Sequence, residues 1–156
     1  RHITTTAKLP HTWEFIHDEL GYNYRLPNLN AALGYAQLQQ LQSFVKAKRE
    51  IALIYADVFR QEEQVSIFQE PRHSTSNYWL NVLLFRQPDE SLKQKVLQLT
   101  NENHIMTRPL WRLLHRLPMN ENCPGMDLSV SIELEQRIIN IPSSPQLLSR
   151  IQRGRD

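Results

Sequence analysis

Two short stretches of the 156-residue chain gather side chains suited to an anionic, aromatic or hydroxylated ligand. In "GYNYRLPNLNAALGYAQL", residues 21–38, Asn23 and Arg25 stand just ahead of a run that reads as a helix. The free N–H groups and the dipole at a helix start favour an anion. An Asn amide can donate to that anion, and an Arg guanidinium can hold phosphate or carboxylate in a fork. A capping Asn and a surface Arg would use the same residues, and spacing alone leaves both readings open. In "TRPLWRLLH", residues 107–115, Arg108, Trp111, Arg112 and His115 cluster around Pro109. Arg could meet a diphosphate, Trp could stack on a base or sugar, and His could hydrogen-bond a hydroxyl. An amphipathic loop with one buried Trp is the alternative here.

Other chemistries lack their residues. His2, His11, His17, His73, His104 and His115 form no HxH or HxxxH pair, so no metal site is expected. No G-x-S-x-G marks a serine hydrolase. Asp18 and Glu19 are adjacent, so in a regular element their side chains diverge; a loop salt bridge suits them better than an acid/base pair. The single Cys123 excludes an internal disulfide, lacks zinc-binding companions, and fits a reducing, cytoplasmic compartment. With 4 Gly there is no glycine-rich phosphate loop. The net charge is +2, and the basic tail "SRIQRGRD" is short, which argues against nucleic acid as a partner. No apolar run approaches the ~18 residues of a membrane span, and no signal peptide is visible.

The elements that must position these residues follow from periodicity. Hydrophobic residues at 40% and charged residues at 22% are ordinary for a globular domain. Residues 1–26 read as loop, with a short turn at "EFIHDELG". Pro27 suits a first helical turn. From Asn28 to Phe59, Leu29, Leu33, Ala36, Leu38, Leu41, Val45, Ile51, Ile54 and Val58 recur at helical steps among Gln, Lys, Arg and Glu. At ~1.5 Å per residue such a helix spans about 45 Å, longer than one compact domain needs, so it is expected to link two domains. "QVSIF" (64–68) and "NYWLNVLLF" (77–85) read as strands. "PDESLKQKVLQLTNENH" reads as a helix started by Pro88 and Asp89, with Leu92, Val96 and Leu99 on one face. "IMTRPLW" is extended, "RLLHRLPMNENCPG" is loop, "DLSVSIELEQR" is a helix begun at Asp127, and "IINIPSSP" is a strand ended by Pro142 and Pro145. A helix begins again in "SPQLLSRIQRG". The order strand, strand, helix, strand, helix, strand is an α+β arrangement, a small sheet with helices on one face.

Taken together and in this order, "HDELGYNYRLPNLNAALGYAQL", "NYWLNVLLF", "TRPLW" with the following "LH", and "IINIPSSP" resemble the pyridoxal-phosphate-dependent aminotransferases that act on nucleotide-linked 4-keto-6-deoxy sugars. The opening is most similar to the subgroup making legionaminic-acid-type or bacillosamine-type sugars. The resemblance covers nearly the whole chain. It implies an α/β fold: the C-terminal portion of an aspartate-aminotransferase-like enzyme, a long linking helix plus a small sheet covered by helices. Residues 1–27 would be the tail of the large cofactor domain and a dimer-interface loop, 28–60 the linking helix, and 61–156 the small α+β domain.

The resemblance also assigns roles. Asn23 matches an Asn that reaches across a homodimer interface to the cofactor phosphate of the partner subunit. Arg25, Arg108, Trp111 and His115 become substrate contacts. The implied cofactor is pyridoxal phosphate, and the implied partners are a nucleotide sugar, glutamate as amino donor, and a second subunit, in polysaccharide biosynthesis. The family's Schiff-base Lys and its ring-nitrogen Asp lie upstream of the segment matched here. Lys8, Lys46, Lys48, Lys93 and Lys95 fall outside any matching motif, so no catalytic residue is assigned and the isolated chain is expected to be inactive. Two alternatives stay open: a related sugar dehydratase, in which His replaces that Lys, and a non-enzymatic binding module derived from the family.

Overall fold

The computed structural model describes residues 8–153; His2 and the last three residues of the basic tail, 154–156, lie outside them. The chain runs β1 (Lys8–Leu9), β2 (Ile16–His17), α1 (Asn28–Leu38), α2 (Leu41–Val58), β3 (Val65–Ile67), β4 (Asn81–Phe85), α3 (Glu90–Glu102), β5 (Arg108–Pro109), α4 (Ser129–Arg137), β6 (Ile138–Ile141) and α5 (Gln146–Arg153). Two 3-10 turns, Leu114–Arg116 and Pro118–Asn120, lie between β5 and α4. This is the mixed α/β composition expected. The chain divides into two compact units, one made of the residues up to Arg25 with Gln87–Ile139, the other of Leu26–Arg86 with the residues from Asn140 on.

The second unit is organised by α2. Ile51 and Ala52 are its buried residues, and the helix packs on β3 and α5. β3 and β4 pair antiparallel, with Val65 opposite Phe85 and Ile67 opposite Leu83. Side chains alternate across a strand, and Asn81, Leu83 and Phe85 bury one face of β4 while Val82 and Leu84 stay half-exposed. Apolar burial of this kind contributes about 25 cal/mol per Å². On α2, Lys48 Nζ donates to the carbonyls of Tyr78 (3.4 Å), Trp79 (3.1 Å) and Ser143 (2.6 Å), and burial lowers its pKa. Tyr55 donates to the Pro142 carbonyl at 3.1 Å. Ser143 Oγ accepts from the Asn81 backbone and amide at 2.6 and 3.2 Å.

In the first unit, α3 starts at an Asp89 cap whose Oδ1 accepts from the Leu92 N–H at 2.9 Å, and it packs on α4. Leu97 and Lys93 are its buried residues. After the helix, Thr107 is buried and tied back: Asn101 Nδ2 donates to its carbonyl (3.1 Å) and to Oγ1 (3.0 Å), and Thr100 Oγ1 lies 2.5 Å from the same hydroxyl. That network fixes where Arg108 emerges.

Several expectations are corrected. Residues 1–26 are not all loop, because Lys8 pairs with His17 and Leu9 with Ile16 in a two-residue antiparallel ladder. Segments that short show no alternation to read. The single helix over 28–59 is two helices broken at Gln39–Gln40, where the Gln40 N–H bonds the Gln37 carbonyl and Ser43 Oγ donates to the Gln40 carbonyl. Gln is a good helix former, so propensity gives no warning of the break. The apolar stripe read along this run is not one buried face: α1 buries no residue, and Leu29, Leu33, Leu38, Leu41 and Val58 are exposed. The strand read over 77–85 begins only at Asn81. Tyr78 has φ 45°, and local side chains compete with the ladder: Asn77 Oδ1 accepts from the Trp79 N–H and Ser76 Oγ from the Tyr78 N–H.

Candidate functional site

The residues of "TRPLW" meet the segment around Phe15 within the first unit. The short β1–β2 pairing fixes the position of Phe15, just ahead of Ile16. Arg108, leaving the Thr107 network, sets its guanidinium carbon 4.5 Å from the centroid of the Phe15 ring, a cation–π geometry. Trp111 stacks on the same ring, with centroids 6.4 Å apart and planes inclined by 23°. Arg108 Nη2 also lies 3.7 Å from Met106 Sδ. A guanidinium, a phenyl ring and an indole thus form one layer, and Arg108 enters it directly from the buried Thr107.

The two rings of that layer border two cavities, and Arg108 lines neither. Phe15, Trp111 and Arg112 line both. One, of about 300 Å³, is polar, with Trp13, Glu14, Lys93, Arg116 and Glu135 in its walls. The other, of about 340 Å³, has His17, Leu20, Leu114, Leu117 and Met119 and is mostly apolar. Around the polar cavity, Lys93 Nζ donates to the Glu135 carbonyl at 2.8 Å and lies 3.5 Å from Glu90, while Arg116 pairs with Glu135 at 2.5 Å. Glu135 therefore braces the wall from two sides.

The five residues singled out in the sequence are distributed unevenly. The structure brings Arg108 and Trp111 together through Phe15. His115 lies in the Leu114–Arg116 turn, exposed, and lines neither cavity. Asn23 and Arg25 are exposed, line neither cavity, and make no hydrogen bond or ion pair among the described residues. Beside them Tyr22 and Tyr24 stack at 5.8 Å. α1 starts behind Pro27 with no side chain capping it, so Asn23 is not its cap. Sequence reasoning missed Phe15, Glu14 and Lys93. Nothing in a non-periodic opening distinguishes Phe15 and Glu14, and Lys93 reads as one more charge on an amphipathic helix. Arg112 was visible in its cluster, and the structure gives it a place in both cavities.

Among the described residues, no group of three His, Cys, Asp or Glu could hold a metal ion, and no helix is long and apolar enough to cross a membrane.

The sequence profile of the DegT/DnrJ/EryC1/StrS aminotransferase family matches residues 4–153. A Vibrio cholerae protein named GDP-perosamine synthase is 34% identical over 132 residues, 84% of this chain and 36% of that relative. The chain thus spans about a third of the curated relative. The solved structure of Helicobacter pylori PseC, an aminotransferase involved in the biosynthesis of pseudoaminic acid, matches 97% of this chain and 43% of its own with a TM-score of 0.70 at 17% identity. An Escherichia coli GDP-4-keto-6-deoxy-D-mannose-3-dehydratase with bound hydrated PLP matches 86% of this chain and 36% of its own, with a TM-score of 0.63 at 16% identity. At such identities these two are likenesses of fold.

Proposed function

The chain belongs to the DegT/DnrJ/EryC1/StrS aminotransferase family, and from that premise we propose that it forms the C-terminal portion of a pyridoxal-phosphate enzyme moving an amino group onto a nucleotide-linked 4-keto-6-deoxy sugar. The observation that carries this reading is the family match over residues 4–153. Residues 1–27 then close the cofactor domain, 28–60 link the domains, and 61–156 form the small domain. Glutamate is the amino donor, the second subunit is an identical one, and the setting is cytoplasmic polysaccharide biosynthesis.

When bound, pyridoxal phosphate supplies the electron withdrawal that lets an amino nitrogen change carriers. The side chains present fit a share in holding it. Asn23 has an amide with no partner among the described residues, free to donate to a phosphate across the subunit interface. Arg25, equally free, offers a fork to an anionic part of the substrate. Arg108 meets the diphosphate, Trp111 lays its indole against a ring, and His115 hydrogen-bonds a sugar hydroxyl from its exposed turn. The apolar side chains of α1, exposed at Leu29, Leu33, Tyr35 and Leu38, support burial of this helix against further protein in the dimer. Lys48 and Lys93 are held by backbone carbonyls, which supports a cofactor-bearing Lys elsewhere in the complete enzyme.

A second reading, a sugar dehydratase, is favoured by the likeness to proteins so named. The test offers the complete enzyme glutamate, pyridoxal phosphate and nucleotide-linked 4-keto-6-deoxy sugars. A product with nitrogen on the former keto carbon is expected. A deoxygenated sugar without nitrogen would replace the aminotransferase reading with the dehydratase, and absence of both reactions would overturn each.

A further inference from the structure

Six acidic or basic side chains line the polar cavity of about 300 Å³: Glu14, Glu90, Lys93, Arg112, Arg116 and Glu135. Four of them are committed to one another or to backbone. Lys93 is shared by Glu90 and the Glu135 carbonyl, and Arg116 is paired with the Glu135 carboxylate. The side chains of Glu14 and Arg112 make no hydrogen bond or ion pair among the described residues. One unpaired carboxylate and one unpaired guanidinium therefore border a cavity that also has the rings of Trp13, Phe15 and Trp111 in its walls.

A ligand matching those groups is flat, stacks on an aromatic ring, and carries donors on one edge and acceptors on another. Guanine meets all three conditions. Its N1–H and N2–H₂ lie side by side and can satisfy both oxygens of a carboxylate, while O6 and N7 accept from a guanidinium fork. Adenine and cytosine place an acceptor beside the exocyclic donor, which a carboxylate repels. Uracil and thymine flank their one N–H with two carbonyl oxygens, with the same result. The volume lies at the small end of the roughly 300–1,000 Å³ typical of ligand sites, suiting a base whose ribose and diphosphate lie outside.

We infer that this cavity is the base subsite of the nucleotide sugar and that it reads guanine, through Glu14 on the N1–H/N2–H₂ edge and Arg112 on O6 and N7. The inference rests on the nucleotide-sugar reading above. Relatives named for both GDP- and dTDP-linked sugars leave the base open.

The test is calorimetric titration of the complete enzyme with GDP, IDP, UDP and L-glutamate, in wild type and Glu14→Gln. GDP should bind at least about tenfold more tightly than IDP, which lacks the 2-amino group, and than UDP. Glu14→Gln should weaken GDP by roughly ten- to a hundredfold, shrink the gap between GDP and IDP, and leave UDP unmoved. Its melting temperature should match wild type, since Glu14 gives up no partner. GDP, IDP and UDP binding alike, or a GDP affinity indifferent to Glu14→Gln, would overturn the guanine assignment and leave the nucleotide-sugar reading standing. A loss confined to L-glutamate would give the cavity to the amino donor and also overturn it. Failure of every nucleoside diphosphate to bind would sink the nucleotide-sugar reading itself.

Discussion

Glu70 illustrates how much one carboxylate can hold. It accepts both terminal nitrogens of Arg49, at 2.6 and 2.9 Å, and the Ser76 backbone N–H at 2.6 Å. These bonds, Arg49 first and Ser76 second, lower its pKa from 4.5 to about 2. A carboxylate with a depressed folded value adds stability that is fully present above its unfolded value and disappears as pH falls through the folded one. Glu70→Gln should therefore melt below wild type at neutral pH, and the two melting curves should converge between about pH 5 and about pH 2. A gap that persists at the acid end would mean the loss comes from packing. Asn23 makes a different kind of claim. In the complete enzyme, Asn23→Ala should weaken pyridoxal phosphate by about ten- to a hundredfold, the worth of one hydrogen bond to a charged group. Turnover at saturating cofactor should stay near normal. Because α1 has no side-chain cap, melting should not change; unchanged cofactor affinity would remove Asn23 from the site. Arg108 and Trp111 stand out in the sequence because two Arg, a Trp and a His crowd residues 107–115. The ring that unites them, Phe15, is far away in sequence and only the fold reveals it.

At the scale of elements, α3 shows local chemistry determining structure. Its Asp89 cap could be read from the sequence; its inner face could not, because the expected face of Leu92, Val96 and Leu99 leaves Leu99 exposed while Lys93 and Leu97 are the residues buried. Only the residue that stops it is poorly suited: His104 follows the Asn103 cap with φ 60°. An L-residue in the left-handed region costs roughly 1 kcal/mol that Gly does not. His104→Gly should stabilise the chain by about 1 kcal/mol, seen as a higher urea midpoint at unchanged slope. A lower midpoint would mean the His side chain has a role the backbone does not show. The break at Gln39–Gln40 was not legible, because two glutamines continue a helix as readily as they end one. The change from helix α1, which buries nothing, to α2, which packs on β3 and α5, is a fact of tertiary surroundings. β4 was legible from Asn81 onward and not before, since the side chains of Ser76 and Asn77 capture the backbone that a strand would need.

The whole molecule returns to lysine. Lys48 and Lys93 spend their ammonium groups on backbone carbonyls, and Lys46 and Lys95 are exposed on α2 and α3. The 156-residue chain mixed with pyridoxal phosphate and then borohydride should carry no stoichiometric adduct at one defined Lys. Intact-mass and peptide mapping decide the matter, and a single fully modified Lys with turnover would overturn the fragment reading. The ordered motifs made the family legible along almost the entire chain. The discontinuous second unit was not, because hydrophobic periodicity says nothing about which distant segments join. That discontinuity has a consequence for birth on the ribosome. The Lys48 bond to the Ser143 carbonyl joins residues 95 positions apart. At roughly 5–20 residues per second, α2 waits about 5–20 s after its own synthesis for the segment that completes its packing. During that interval the nascent chain holds Ile51, Ile67, Leu83 and Phe85 without their last cover. A ribosome stalled between β4 and β6 should hand this half-finished unit to chaperones.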